Sequence, residues 1–347
     1  MHSRFQRVLL TRLRLIGDIV LTTPIIKSIR DALPDAYIAY LGELPGVTLL
    51  EGNPYLNEIF AYNPNSSFSK RLFVYPRLRK RGFDLAIDLF SNPRSALLIY
   101  ATGARVRIGA GERPRSRLYT HRVVDDGRPK SAIDFHAQYL QAVGLPLTSR
   151  QTKIFLSEEE RREARIYLHW QGIDFDRPIV GLYPGASWPA KMWHKERFAE
   201  LADLLIAKLG AQVVFTMGPS DRQLIEEISA RCVGSIKVLD VLPLRQLAAV
   251  LSFFHVYVAN DSGPMHMAVA VGTRTIGIFG PGEEEIWFPY NREDGHLALR
   301  KDVWCHPCHL DFCDKEGEGY MKCMKLLETK EVFDAVRERV ESSTVSR

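Results

Sequence analysis

The chain predicts an α/β protein made of two halves, each with a parallel sheet flanked by helices. Three observations predict it. Short apolar, β-branched runs alternate with helical patterns along the length, and such alternation produces parallel sheets. Three of the runs end in tight turns of small residues that open helices: Gly17-Asp18, Pro184-Gly185-Ala186-Ser187 and Asp261-Ser262-Gly263-Pro264. A length of 347 residues suits about two hydrophobic cores rather than one.

In the first half, Arg7-Val8-Leu9-Leu10-Thr11 reads as a buried strand and Arg12 to Ile16 as a connector. Gly17-Asp18 then opens a segment, running to Arg30, whose apolar residues recur at helical spacing. Further strands are expected near 36–41, 84–89, 105–109 and 122–124, and a helix at 132–143. Ser157, followed by Glu158, Glu159 and Glu160, starts a helix that runs to Gln171. Gly172 to Pro178 reads as the linker. The second half carries strands near 179–183, 212–216, 236–238, 256–259 and 275–278, each followed by a helical pattern, and ends in a helix near 329–341. The expected domains are 1–172 and 173–328, followed by a C-terminal segment 329–347.

Two of these turns suit a phosphorylated small molecule. Asp261 closes a strand at its carboxyl end, where open α/β sheets bind ligands. Ser262-Gly263-Pro264 then presents backbone N–H groups and the positive end of a helix dipole. In the stretch from Pro184 to Trp193, Ser187 offers a hydrogen bond and Lys191 a positive charge, the pair that a diphosphate needs. The Gly-Lys-Ser/Thr order of a Walker loop is missing. Asp18 stands at the tip of the first strand-to-helix loop and also faces a crevice. For Asp18, Asp261 and Ser262, plain helix capping is the competing reading.

Charge is divided unevenly. Residues 1–150 carry 22 Lys and Arg, 18 of them Arg, against 12 Asp and Glu, while residues 151–347 carry 24 against 29. Arginine grips phosphate and carboxylate with a planar fork, so a basic first half suits an anionic partner. The residues expected to face that partner are Arg94, Arg113, Arg115 and Arg117. No nucleic-acid module is visible: there is no aromatic RNA-binding strand, zinc finger or clear helix-turn-helix. Arg12, Arg14 and Asp18 interrupt the one apolar run that resembles a signal peptide. No stretch reaches the roughly 20 apolar residues of a membrane span, and the expected location is the cytoplasm.

Cys305, Cys308, Cys313 and Cys323 lie within 19 residues, with His306 and His309 among them. Four such thiols suit zinc or an iron–sulfur cluster. Their spacing lacks the paired Cys-x-x-Cys of a zinc ribbon. A cysteine-rich tail without chemistry is the competing reading, and no metal is assigned.

Taken in order, Gly17-Asp18, Pro184-Gly185-Ala186-Ser187 with Lys191-x-Trp193, and Asp261-Ser262-Gly263-Pro264-x-His266 resemble the glycosyltransferase family 9 heptosyltransferases, from about residue 6 to residue 340. The resemblance implies the GT-B arrangement of two facing Rossmann-like domains, with the last helix packed back on the first. It implies transfer of heptose from ADP-heptose to the inner core of lipopolysaccharide, by single displacement with inversion. Asp18 would be the general base. Ser187, Lys191, Asp221, Asp261, Ser262, Gly263, Pro264 and His266 would hold the donor, with Asp221 or Glu226 near the ribose. No cofactor is implied. The acceptor is anionic, and contact with the inner-membrane surface would be peripheral. The alternatives are a sugar-nucleotide epimerase, a family member with another donor, and a non-enzymatic basic module for anionic polymers or membranes.

Overall fold

Val8, Leu9 and Leu10 are fully buried, as a strand covered on both faces requires, and the first sheet is built around them. The computed structural model describes residues 5–67, 72–112 and 114–344. The chain divides into two units, Met1–Phe155 and Leu156–Arg347.

In the first unit, β1 (Arg7–Thr11) pairs in parallel with β2 (Tyr37–Glu43) and β4 (Leu85–Asp88). With β3 (Glu58–Tyr62), β5 (Val106–Ala110) and β6 (His121–Val123), the order is β3-β2-β1-β4-β5-β6. Chain order reverses between β1 and β4, which marks the topological switch point of a doubly wound sheet. The expected long first helix is two helices, α1 (Ile16–Leu21) and α2 (Thr23–Ala32), divided at Thr22 just before Pro24, because proline fits only the first turn of a helix. Helices α3 (Val74–Lys80) and α4 (Pro93–Ala101) cover one face, where Leu78, Ala96 and Ile99 join the core under the sheet. Helix α5 (Ala132–Gln141) sends Ala137, Tyr139 and Leu140 into the core on the other.

The second unit repeats the plan. Its strands β7 (Ile179–Tyr183), β8 (Gln212–Phe215), β9 (Lys237–Val238), β10 (Val256–Asn260), β11 (Arg274–Ile278) and β12 (Leu297–Leu299) lie in the order β12-β11-β10-β7-β8-β9. Its switch point is therefore between β7 and β10. The unit opens with α6 (Glu158–Trp170), which begins with the expected capping box: Glu160 N–H donates to Ser157 Oγ and Ser157 N–H to the Glu160 carboxylate. The domain boundary lies ahead of this helix, not after it at residue 172. Its buried Ala164 and Leu168 and its Glu160, paired with Arg245 at 2.5 Å, join it to α9 (Leu244–Leu251), with α7 (Lys195–Leu209) and α8 (Arg222–Ser229) between them in the chain.

Helix α10 (Gly263–Ala270) follows β10, and two short helices, α11 (Glu284–Trp287) and α12 (Lys322–Lys325), precede α13 (Thr329–Thr344). The sequence reading sends this last helix back to the first domain. Its apolar stripe, Val332, Val336 and Val340, instead belongs to the second unit's core, and Arg339 Nε donates to the carbonyl of Gly295 at 2.7 Å. Among the described residues, no helix is long and apolar enough to cross a membrane.

Candidate functional site

At the first unit's switch point, Arg12 leaves the end of β1 and reaches across to the segment after β4. Its Nη1 donates to the Leu89 carbonyl at 3.1 Å, and its guanidinium lies 4.6 Å from the centre of the Phe90 ring. Its Nη2 stands 2.7 Å from Asp18 Oδ1. Asp18 is buried within α1 rather than at its N-cap, and its Oδ2 accepts the Leu15 N–H at 2.9 Å. The capping reading therefore holds in part: the carboxylate bonds the backbone at the helix start while it pairs with Arg12. Each carboxylate oxygen keeps lone-pair capacity beyond the contact described. His136 lies buried in α5, where burial and the charge of Arg12 push it down to about 3, so it is neutral. Sequence reasoning treated Arg12 as connector; a cation one residue past a buried strand was the available signal.

The arginines expected to face an acceptor have different surroundings. Arg94 is exposed and pairs with Glu43 at 2.8 Å. Arg115 Nε donates to the Ser91 carbonyl at 2.5 Å, and its Nη2 is buried without a hydrogen-bond partner. Arg117 is exposed on the 3-10 turn Pro114–Leu118. Arg113 lies outside the described residues.

At the second unit's switch point, the loop after β7 meets the turn after β10. Asn260 fastens them: its side-chain amide donates to the Pro184 carbonyl at 2.7 Å, and its carbonyl oxygen accepts the Trp193 N–H at 3.1 Å. Lys191 Nζ then stands 2.6 Å from Asp261 Oδ2 and 4.3 Å from the centre of the Trp188 ring. The sequence separated these roles, Lys191 for phosphate and Asp261 for sugar; the structure makes them one nearly buried ion pair. Gly282, after β11, borders it, since a Cβ there would lie 3.1 Å from Asp261 Oδ2. Ser262 Oγ donates to the Asn260 carbonyl at 2.8 Å and does not cap α10. The N–H groups of Gly263 and Met265 thus have no side-chain cap, and Pro264 has no N–H to offer. Ser187 is exposed on the loop after β7.

His266 and Asp221 have local partners. His266 Nδ1 lies 2.7 Å from the Tyr290 hydroxyl. Burial, with Lys191 adding to it, pushes the ring down to about 3, so it brings no positive charge. Asp221 starts α8, and its Oδ2 accepts the Gly218 N–H at 2.7 Å. A Cβ on Gly185 would stand 2.6 Å from that oxygen, so a side chain there would force the Asp221 carboxylate to shift. This carboxylate joins the loops after β7 and β8. Asn260 and Trp188 were missed as site residues; an amide ending an apolar strand was the sign of the first.

The cysteine-rich segment supports the same loops from outside. Ala190 N–H donates to the Asp311 carbonyl at 3.0 Å and His309 N–H to the Pro281 carbonyl at 3.1 Å. His306 Nε2 lies 2.9 Å from the Gly282 carbonyl. The cysteines are free thiols, and Met321 N–H donates to Cys313 Sγ at 3.3 Å. Among the described residues, no three His, Cys, Asp or Glu side chains form a group that would hold a metal ion.

The sequence profile of "Glycosyltransferase family 9 (heptosyltransferase)" matches residues 71–317. A Haemophilus influenzae lipopolysaccharide core heptosyltransferase, OpsX, is 24% identical over 298 residues, covering 84% of each chain. A family 9 glycosyl transferase from Veillonella parvula superposes with a TM-score of 0.85 at 24% identity, covering 99% of both chains. The Escherichia coli ADP-heptose LPS heptosyltransferase II does so with a TM-score of 0.79 at 22% identity, covering 98% of this chain and all of that one. These likenesses establish the GT-B fold.

Proposed function

The chain belongs to glycosyltransferase family 9, and on that premise we propose that it transfers heptose from ADP-heptose to the inner core of lipopolysaccharide. The observation that carries the reading is the Lys191–Asp261 pair at the β7/β10 switch point, beside the uncapped start of α10. A diphosphate takes over Lys191 as its charged partner and accepts the free N–H groups of the helix start. Asp261, released from the lysine, accepts hydroxyl groups of the sugar. Ser187 adds a hydrogen bond to the phosphates. Asp221 sets the shape of the loops beside the ribose and His266 lines the site as a neutral group.

Transfer is a single displacement. An acceptor hydroxyl oxygen attacks the anomeric carbon, the bond from that carbon to the phosphate oxygen breaks, and ADP leaves with the bonding electrons. The hydroxyl proton passes to Asp18, whose position Arg12 and the Leu15 N–H hold. The anomeric centre inverts. Lys191 and the helix N–H groups stabilise the charge growing on the diphosphate, so this reading calls for no divalent ion. Arg113, Arg115 and Arg117, with Arg94, favour an anionic acceptor, carried at the inner face of the cytoplasmic membrane.

The test is incubation with ADP-heptose and a truncated core acceptor, followed by mass spectrometry. The product should gain one heptose, and NMR of the new linkage should show inverted anomeric configuration. An unchanged acceptor overturns the transfer; a retained configuration overturns the single displacement.

A further inference from the structure

Asp88 is a buried acid that the displacement does not use. It ends β4 with none of its surface exposed, and a carboxylate in such a place is costly unless its oxygens find donors. Its donors lie close by. Oδ1 accepts the N–H groups of Phe90 at 3.0 Å and Ser91 at 2.8 Å, and Oδ2 accepts the Tyr119 hydroxyl at 2.7 Å. An aspartate bonded to the backbone a few positions on folds the chain into a tight turn. Here the turn carries Ser91 at a φ of 51°, a conformation that favours glycine. The neighbouring strand β5 is fitted to the same turn. Its Ala110 N–H donates to Ser91 Oγ at 2.9 Å. A Cβ on Gly109 would lie 2.2 Å from the Tyr119 ring, so a side chain there would displace that ring from Asp88.

Each group that the turn fixes meets a cation. The Leu89 carbonyl accepts Arg12 Nη1 at 3.1 Å, and the Phe90 ring centre lies 4.6 Å from the Arg12 guanidinium. Arg12 in turn stands 2.7 Å from Asp18. The Ser91 carbonyl accepts Arg115 Nε at 2.5 Å, while Arg115 Nη2 is buried without a hydrogen-bond partner among the described residues. Three consecutive residues therefore brace two arginines, and one carboxylate sets the conformation of the three.

We infer that Asp88 is a positioning residue shared by the base and the acceptor: through Leu89 and Phe90 it holds Arg12 against Asp18, and through Ser91 it aims Arg115 at the anionic group of the acceptor. The inference rests on the roles proposed above for Asp18 and Arg115. A buried acid that served the core alone would matter to stability and leave the kinetics untouched.

The test is transfer kinetics of the full chain with ADP-heptose and a truncated core acceptor, below the melting transition of each variant. Asp88→Ala should lower kcat about tenfold or more, as a misplaced reacting group does, and raise acceptor KM about threefold, the scale of one charged contact. ADP affinity by calorimetry should not change, because Lys191 lies on the other unit. Asp88→Asn keeps a carbonyl oxygen for the Phe90 and Ser91 N–H groups and should restore both constants. Double-mutant cycles separate the two routes. On an Arg12→Ala background Asp88→Ala should cost no further kcat, and on an Arg115→Gln background it should bring no further rise in KM. Ser91→Ala removes only the hydroxyl contacts and should shift both constants in the same directions by about twofold; it decides the matter if Asp88→Ala does not fold. Unchanged constants in the deciding variant, or costs that add in both cycles, overturn the inference and leave the proposed function standing. No transfer by the parent chain removes the proposed function, and the inference with it.

Discussion

The two units share one strand order, and each puts an ion pair at its switch point, yet the pairs are built in opposite senses. In the first, the acid is the fixed member. Asp18 is held by the Leu15 N–H within α1, and Arg12, braced on Leu89 and Phe90, keeps the carboxylate in place. In the second, the surroundings favour an anion. Lys191 lies against Trp188, α10 begins without a side-chain cap, and Asp261 is the anion now bound there. Topology sets where a ligand or a reacting group sits. On the proposed function, which partner is immobilised decides whether the pair delivers a base or receives a phosphate.

The sharpest way to break this comparison is Asp18→Asn. Turnover should fall about a hundredfold or more, the scale of a general base, while calorimetry shows unchanged ADP affinity. Near-normal kcat removes the role. Next comes the second pair. Lys191→Ala should weaken ADP binding by about tenfold or more, as loss of a charged hydrogen bond does, and should lower Tm, because it leaves Asp261 as a buried carboxylate without its cation. Asp261→Ala should keep or improve ADP affinity by freeing Lys191, and should abolish the preference for ADP-heptose over ADP. If the two variants weaken ADP binding equally, the opposite senses of the pairs are lost.

Acid probes both units at once through a buried histidine in each. His136 and His266 are held at about 3, below the ordinary histidine value of 6.5. The unfolded chain therefore binds more protons below pH 6.5. Their stabilisation is complete above that pH and is lost as pH falls toward 3, at about 1.4 kcal/mol per pH unit for each. Thermal melts of His136→Gln and His266→Gln between pH 7 and pH 5 should have shallower slopes than the parent, and parallel slopes would count against neutral burial. A smaller effect is expected at the acceptor arginines. Arg117→Gln should raise acceptor KM about threefold, the scale of one exposed charge, with Tm unchanged; Arg115→Gln should also lower Tm, since Arg115 is bonded to Ser91. The smallest expected effect is none: EDTA should leave turnover intact, and restoration by magnesium after its loss would overturn the metal-independent step.

Ten of the strands were legible in the sequence, eight of them as buried or nearly buried runs, while the edge strands β6 and β9 hold no buried residue. The two that escaped, β3 and β12, are the edge strands at one end of each sheet. Each carries only a short apolar run, Ile59-Phe60-Ala61-Tyr62 in β3 and Leu297-Ala298-Leu299 in β12, and few of its side chains are fully buried. The three turns were legible because small residues interrupt the pattern there. The pairing of Lys191 with Asp261 was not, since 70 positions and three strands separate them and no local rule links them. Arg12 was hidden for a related reason: its contacts are with Leu89 and Phe90, beyond the reach of a local pattern. The last helix was misplaced because an amphipathic stripe announces that it will be buried but does not say against which core.

The support of the donor loops by the distant C-terminal segment bears on how the molecule assembles. The Trp193 indole N–H reaches the Leu327 carbonyl 134 positions away, and Ala190 and His309 extend the same tie. Such contacts close only after a long loop has been ordered, which makes them late on a folding route. The loops proposed to hold the nucleotide should therefore form near the end of folding, after the sheet beneath them. On the proposed function, ADP would stabilise a structure that the folding transition state has not yet reached, so it should slow unfolding while leaving the folding rate nearly unchanged.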